Sequence, residues 1–248
     1  MPPYAEVSKE LFASYARKHS AEYVFEENPQ YFRNKYARYY NALRPIFDSR
    51  FHNYDHILFV DMDVVPLSAC REDVFESPIE HIGMVEEVDQ PELRSNMLGR
   101  INAKNDKRWA RIVKTVWGVQ VPLDELGRPK VFNSGVVLYT KAGLNFARNN
   151  FPSVRLYQYI MTLAGLPRFY RLDQNYLGAF IGKSGCGFST LSDGWNSQVT
   201  SIKTLSGDDV LVDQRNALTK FVHMQHRGKN KMNQGNVRDV ADNNYHFD

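Results

Sequence analysis

The stretch YDHILFVDMDVVPL, residues 54–67, decides the fold prediction because an apolar run leads directly into two carboxylates. Ile57 to Val60 predicts a buried strand, and Asp61 and Asp63 follow it one residue apart. In open α/β sheets, ligands bind outside the carboxyl ends of the strands. Alternation along an extended chain points residues i and i+2 the same way, so both carboxylates can face one point. Two converging carboxylates repel unless a cation lies between them, and hard oxygen ligands favour Mg²⁺ or Mn²⁺.

Length and composition indicate one globular domain over residues 1–248. The chain is 43% hydrophobic and 24% charged, with a net charge of only +3, so no nucleic-acid partner is implied. Residues 94–114 hold seven basic side chains and one acid, which predicts a solvated helix face. Cys70 and Cys186 fit no metal-ligand pattern; two free thiols are preferred over one disulfide.

No apolar run reaches the length of a membrane-spanning helix, and no signal-peptide pattern opens the chain. We therefore favour a cytoplasmic location. A lumenal catalytic domain whose membrane anchor has been removed is the alternative.

Hydrophobic periodicity predicts alternating strands and helices. This order favours an α/β fold with a mostly parallel mixed sheet and helices on both faces. Strands are predicted at 21–25, 57–60, 82–85, 131–139 and 220–224. Helices are predicted at 8–19, 31–48, 102–116, 142–149, 153–163 and 173–181. Residues 182–209 are expected to form loops, and 233–248 a flexible tail with little to bury.

Two further stretches carry polar groups where strands break or end. FVHMQHRGKNKM, residues 221–232, places His223 at the end of a short apolar strand. An imidazole added to two carboxylates is a mixed ligand set that suits Mn²⁺. VFNSGVVLY, residues 131–139, interrupts a buried strand with a polar break, which indicates a bulge or a ligand contact. Taken singly, the first stretch is more typical of a basic surface turn with one half-buried histidine, and the second is also typical of an ordinary bulge.

Five motifs in order resemble the metal-dependent glycosyltransferases of the GT-A fold, closest to the retaining branch with glycogenin and lipopolysaccharide galactosyltransferases. They are FVDMDVV, VFNSGVVLY, LDQNYLG, DGWN and FVHMQHRGKNKM. The resemblance covers roughly residues 31–232. It implies a GT-A-like, Rossmann-like domain that moves a hexose from a nucleotide diphosphate sugar, UDP-sugar above all. The acceptor would be a glycan, glycoconjugate or protein, the cofactor Mn²⁺ or Mg²⁺, and the stereochemistry retaining.

The resemblance also implies roles for individual residues. Asp61, Asp63 and His223 would bind the metal, and Asp173 would be the catalytic carboxylate. Donor-binding roles fall on Lys35, Met62, Asn133, Ser134, Gly135, Gln174, Trp195, Asn196, His226, Gly228 and Lys231. The sequence departs from the family where residues 230–232 replace its Lys-Pro-Trp. The family's opening strand, which binds the nucleotide base, would end just before MPPYAEV.

Two other functions are compatible with parts of this pattern. A phosphatase of the haloacid-dehalogenase type would use Asp61 as nucleophile and Asp63 as acid and base. That family carries its motif close to the start of the core domain, whereas about sixty residues precede Asp61 here. A module that binds a nucleotide sugar or glycan without transferring it is the non-catalytic alternative.

Overall fold

The computed structural model describes residues 1–27, 29, 37–96, 99–203 and 209–247. These residues cluster into two compact units, each assembled from separate stretches of chain. Unit 1 comprises Met1–Asn28, Val60–Ser77 and Ser192–Asp248, and unit 2 comprises Pro29–Phe59 and Pro78–Leu191. The organisation of residues 1–248 as a single domain stays a prediction.

The described residues form eight strands, eight α-helices and several short 3₁₀ turns. The strands are β1 His56–Val60, β2 Val64–Pro66, β3 Ile82–Glu86, β4 Phe132–Thr140, β5 Phe188–Leu191, β6 Ser197–Lys203, β7 Asp209–Asp213 and β8 Phe221–Met224. The helices are α1 Pro3–Lys18, α2 Arg44–Phe47, α3 Gln90–Asn96, α4 Ala103–Trp117, α5 Lys141–Asn150, α6 Val154–Leu163, α7 Asp173–Phe180 and α8 Gln234–Ala241. The 3₁₀ turns are Ala37–Leu43, Ser49–Phe51, Val74–Glu76, Arg168–Arg171, Asp193–Asn196 and Arg227–Lys231.

Unit 1 is built on a sheet with strand order β2-β8-β6-β7. Strands β2 and β8 pair antiparallel, β6 and β8 pair parallel, and β6 and β7 pair antiparallel. Its core joins Val7 of α1 and Val237 of α8 to Val65 and Val222 of the sheet. The Ser8 hydroxyl also donates a 2.6 Å hydrogen bond to a backbone carbonyl of β2, so α1 is held to this sheet by polar as well as apolar contacts.

Unit 2 is built on the second sheet, whose strand order is β1-β4-β3-β5; Val60, the last residue of β1, is assigned to unit 1. β3 pairs antiparallel with β4 and parallel with β5. The core beside it is rich in aromatic rings: Tyr157, Tyr176 and Phe180 are fully buried and meet edge-on or tilted at centroid distances of 5.0–5.8 Å. The Trp109 indole of α4 donates a 2.8 Å hydrogen bond to the Tyr157 hydroxyl. Because the hydroxyl and indole are paired, these large rings can be buried without an unsatisfied polar group.

The predicted α/β class is confirmed, but the strand arrangement differs from the single, mostly parallel sheet that was expected. The strands divide between two mixed sheets, and β2/β8, β3/β4 and β6/β7 are antiparallel pairs. Several of the strands that create these pairs are short or polar. Hydrophobic periodicity carries little signal for such strands, because β2 has only three residues and β6 contains several polar ones.

Most predicted elements are present, and three predictions are wrong. Residues 21–25 contain no strand, and 182–209 contain β5 and β6 where loops were expected. The tail that was expected to have little to bury forms α8, whose Val237 and Val240 are buried. Of the helix predicted at 31–48, residues 31–36 lie outside the described residues. The remainder is a 3₁₀ segment followed by α2.

The structure shows the state of both cysteines and the lengths of the described helices. Cys70 and Cys186 are free thiols, which confirms the preferred reading. Within the parts of the chain that the structure describes, every helix falls short of the length and apolar character needed to cross a bilayer.

Candidate metal centre

Three side chains predicted to bind a metal converge within unit 1. Asp61, Asp63 and His223 each offer a ligand atom, and these atoms all lie within 4.8 Å of one another. His223 Nε2 and Asp63 Oδ1 are 3.3 Å apart. His223 is buried, whereas the two carboxylates are half-buried. The cluster therefore has two oxygen ligands and one nitrogen ligand with partial access to solvent.

Backbone pairing explains why these residues meet. Asp61 follows β1 and Asp63 precedes β2, so the carboxylates lie in the turn between the two strands. The Val64 amide donates to the Asp61 carbonyl at 3.1 Å, which closes this turn. Val64 is also the partner of His223 in the β2/β8 pair, and the Met224 amide donates to the Asp63 carbonyl at 2.9 Å. Asp61 and Asp63 thus face one point, as predicted, but a turn and a strand pair bring them together, not alternation along one strand.

The electrostatics of the two carboxylates fit a cation site. Burial, and then the charge of Asp63, raise the pKa of Asp61 to about 7. Burial also opposes ionisation of Asp63, but the neighbouring His223 and Lys229 outweigh it and hold the pKa of Asp63 below its usual value. The protein alone therefore balances only one of the two negative charges fully. A divalent cation would balance both, and two carboxylates with one imidazole suit Mn²⁺ or Mg²⁺.

Lys229 is a member of this site that the sequence analysis missed. Its ammonium donates a close hydrogen bond to Asp63 Oδ2 and lies 5.6 Å from the centre of the Tyr4 ring. Lys231, which was predicted to bind the donor, is exposed. Basic residues alternate through this segment, so sequence alone gave no means to choose between the two lysines. The contact with Asp63 favours Lys229.

Asn196 was predicted to bind the donor, but its side chain contacts His223. Asn196 Oδ1 lies 2.9 Å from His223 Nδ1, and both residues are buried. An amide oxygen can only accept, so Nδ1 carries the proton and the lone pair of Nε2 is left on the side of Asp63. Asn196 therefore fixes the tautomer and orientation that a metal-binding histidine needs.

We expect Asn196→Ala to weaken Mn²⁺ binding by about 10- to 100-fold, because the imidazole loses the group that orients it. Asn196→Asp keeps an acceptor oxygen and is expected to restore most of the affinity. Isothermal titration of both variants with Mn²⁺ measures the effect. Equal affinities for the alanine variant and the unsubstituted protein would show that Asn196 has no positioning role.

Trp195, predicted to contact the donor sugar, is only 5% exposed. Its ring meets Phe221 edge-on at a centroid distance of 5.1 Å, and the Lys220 ammonium lies 5.1 Å from its centre. The structure thus places the Trp195 ring in core packing. The ring anchors the 3₁₀ turn that carries Asn196 to the sheet of unit 1.

Gly194 belongs to the same turn and leaves no room for a side chain. A Cβ atom at this position would lie 2.1 Å from the backbone oxygen of Leu218. We expect Gly194→Ala to lower the free energy of unfolding by roughly 2–3 kcal/mol, because the backbone must move to relieve the overlap. Denaturant unfolding provides the measurement. Gly99→Ala is the control, since a Cβ there meets no atom within 4 Å. Equal stability of the two variants would contradict the prediction.

Three more predicted donor-binding residues lie in unit 1. Met62, between the two carboxylates, is 46% exposed. His226 is buried, its ring lies edge-on to Phe247 at 5.1 Å, and burial and then Lys229 lower its pKa. Gly228 packs beside it: a Cβ atom there would lie 2.9 Å from His226 Nδ1. In this arrangement His226 is covered by the C-terminal segment and is not open to a ligand.

The other predicted site residues belong to unit 2. Asn133, Ser134 and Gly135 lie in β4, where the pairing with β3 shifts register, so the predicted break is a β-bulge. The Asn133 amide accepts a 2.8 Å hydrogen bond from the Gly135 amide and donates a 2.7 Å bond to Glu87. Gln174 donates to the same Glu87 oxygen at 3.5 Å. The structure therefore brings Asn133 and Gln174 together through a carboxylate.

Glu87 is the second residue that the sequence analysis missed. It follows β3 directly, as Asp61 follows β1, so a carboxylate at a strand end was the signal that could have identified it. Asp173, the predicted catalytic residue, is the first residue of α7, and its carboxylate accepts a 2.8 Å hydrogen bond from the backbone N–H of Gln174. Lys35 lies outside the described residues.

Comparisons with solved structures give eleven matching chains, two of which are described below. No family model matches the chain, and no curated protein matches it. The apo structure of mouse xyloside xylosyltransferase 1 is similar with a TM-score of 0.46 and 18% identity, over 89% of this chain and 72% of that one. A glycosyltransferase involved in the glycosylation of the major capsid of PBCV-1 is similar with a TM-score of 0.42 and 13% identity, over 96% and 91%. Both likenesses are too low to assign an activity or a residue role.

Proposed function

We propose that this protein is a metal-dependent glycosyltransferase that takes a hexose from a nucleotide diphosphate sugar and transfers it to a hydroxyl acceptor. The observation that carries the proposal is the convergence of Asp61, Asp63 and His223. They form a compact O/O/N ligand set, and Asn196 holds the imidazole nitrogen toward Asp63. Such an arrangement suits a divalent cation that must also remain open to a substrate.

The chemistry of a nucleotide diphosphate donor explains this set of charges. When the sugar leaves, negative charge develops on the diphosphate, so the barrier falls if that charge meets fixed positive groups. A Mn²⁺ or Mg²⁺ ion held by Asp61, Asp63 and His223 would act as a Lewis acid toward the phosphate oxygens. Lys229 contributes a second positive charge at the same carboxylate and would exchange its contact with Asp63 for one with a phosphate.

The polar groups of unit 2 supply the types of group that recognise a sugar. Asn133, Gln174 and Glu87 combine amide donors with a carboxylate acceptor, and sugar hydroxyls need both. We assign Asp173 the catalytic role because it is the carboxylate of the motif that holds Gln174. In the retaining reaction that we propose, a leaving phosphate oxygen takes the acceptor proton. In an inverting reaction Asp173 would be the base.

The contact between Asp63 and His223 favours this function over the phosphatase. A phosphatase that uses Asp61 as nucleophile needs no imidazole beside Asp63, and it leaves the Asn196–His223 hydrogen bond without a purpose. A binding module without activity would keep the same ligand set, so only a turnover measurement separates it from the transferase.

The deciding experiment measures hydrolysis of a panel of nucleotide sugars, UDP-sugars included, with Mn²⁺ and with EDTA. We expect Mn²⁺-dependent release of the nucleotide from at least one donor. Hydrolysis of an aryl phosphate that is lost in Asp61→Asn would identify the phosphatase instead. Donor binding with neither hydrolysis nor transfer to any acceptor tested would identify the binding module.

A further inference from the structure

Three exposed cations lie along one face of α4 in unit 2. Lys107, Arg111 and Lys114 are spaced by four and three residues, which places them side by side on the helix surface. Their exposure agrees with the solvated helix face predicted for this basic stretch. The three side chains also line a hollow of about 230 Å³.

Three charged residues near these cations, Arg128, Lys130 and Asp106, already have ionic partners. Arg128 pairs with Asp124 at 2.6 Å, and Lys130 pairs with Glu86 at 2.8 Å. Asp106, the acid of α4, is buried and bonded to Arg94 at 3.1 Å and to Tyr170 at 2.8 Å. Among the residues that the structure describes, no carboxylate forms an ion pair with the three cations of the hollow. Their mutual repulsion would be relieved by an anionic ligand.

The opposite wall of the hollow is a hydrogen-bonded hairpin. Leu123 and Pro129 face each other as bridge partners, and the Asp124 side chain accepts hydrogen bonds from the Leu126 and Arg128 amides at 3.0 and 2.8 Å. Gly127 completes the turn with a φ of +72°, a left-handed conformation that glycine adopts readily. The wall is therefore held in place by its own backbone contacts, and Leu123, which is 40% exposed, presents apolar surface to the hollow.

We propose that this hollow binds an acidic glycan, with a uronate or sulfate group on Lys107, Arg111 and Lys114 and the sugar ring against Leu123. A free phosphate or sulfate ion would use the cations but not the apolar wall. The hollow is smaller than the roughly 300–1,000 Å³ that a drug-sized ligand fills, so it suits about one sugar ring. Gln120 also lines the hollow and offers an amide to a ring hydroxyl.

A binding measurement tests the site without any need for transfer. The probes are a chondroitin sulfate hexasaccharide and the same oligosaccharide after desulfation and carboxyl reduction, titrated in EDTA without a nucleotide sugar. We expect the acidic form to bind at least about tenfold more tightly than the neutral form. Equal or undetectable binding of the two would overturn the proposal. Because neither metal nor donor is present, this outcome is independent of the glycosyltransferase proposal; only the further step of making the glycan the acceptor rests on that function.

Variants localise the binding and separate a built site from general charge attraction. Arg111→Ala is expected to weaken binding of the acidic hexasaccharide about tenfold, and Arg155→Ala, an exposed arginine on α6, is the matched control. Leu123→Ala leaves the charge unchanged and should weaken binding several-fold if the sugar ring packs on the wall. Circular dichroism and thermal unfolding verify that each variant folds. Equal losses in Arg111→Ala and Arg155→Ala, or no loss in Leu123→Ala, would contradict the proposed site. If the protein binds phosphatidylserine vesicles in a manner that depends on Arg111, and does not bind the hexasaccharide, the surface is assigned to a membrane instead.

Discussion

Asp63→Ala is expected to reduce Mn²⁺-dependent hydrolysis of a nucleotide sugar by more than about a hundredfold, which exceeds the loss typical of a residue that only supports a ligand. Asp63 is the residue on which the other charged groups converge: His223 lies 3.3 Å from one of its oxygens, and Lys229 donates to the other. Its removal takes away a proposed ligand and leaves both His223 and Lys229 without this carboxylate. Initial rates across a range of Mn²⁺ concentrations measure the effect.

The controls for Asp63→Ala separate loss of the site from loss of the fold. Glu76→Ala removes an exposed acid of the same unit and should leave the rate unchanged. Asp63→Asn keeps the size of the side chain but not its charge, and it should be nearly as inactive as the alanine variant. An alanine variant that reaches the unsubstituted rate at saturating Mn²⁺ would remove Asp63 from the proposed machinery.

His223→Ala is expected to lower the affinity for Mn²⁺ by more than about a hundredfold, because the ligand set loses its one nitrogen. The substitution also removes the buried 2.9 Å hydrogen bond between Asn196 and residue 223. Removal of one partner of a buried hydrogen bond costs about 1–3 kcal/mol of folding free energy. Isothermal titration with Mn²⁺ therefore has to be accompanied by a thermal unfolding curve of the metal-free variant.

A second histidine gives the matched control for this experiment. His246 is exposed in the same unit, and His246→Ala should bind Mn²⁺ as the unsubstituted protein does. His223→Gln retains a side chain that can contact Asn196, so it separates the folding cost from the loss of the ligand. If a folded His223→Ala variant binds Mn²⁺ with unchanged affinity, His223 is not a ligand.

Sequence patterns predicted the parts of the fold that have strong periodicity or clear end signals. Helix α4 has its N-cap at Asn102, whose side chain accepts a 2.9 Å hydrogen bond from the Asn105 amide, and it ends at Gly118 with a φ of +67°. These local signals act within a few residues, so they can be read without knowledge of the rest of the chain. Strand β6 shows the opposite case: its pairing with β7 and β8 determines it, and its own sequence is polar.

The same distinction applies to the site. The order of the motifs brought Asp61, Asp63 and His223 to attention, and the structure places their ligand atoms together. The choice of Lys229 over Lys231 depends on which turn of a short 3₁₀ segment faces Asp63, and spacing along the sequence does not encode that orientation. Asn196 was predicted to bind the donor. Sequence alone does not distinguish an amide that orients a metal-binding histidine from an amide that contacts a substrate.

The pairing of β2 with β8 has a consequence for biosynthesis. Asp63 and Lys229 are separated by 166 positions, and the strand beside Asp63 finds its partner only near the end of the chain. While the ribosome is still translating, the apolar surfaces of α1 and β2 have no completed sheet to cover them, and contacts between such distant residues form slowly. Chaperone demand should therefore peak late in synthesis. The proposed Mn²⁺ site could form only after β8, which carries His223, has paired with β2.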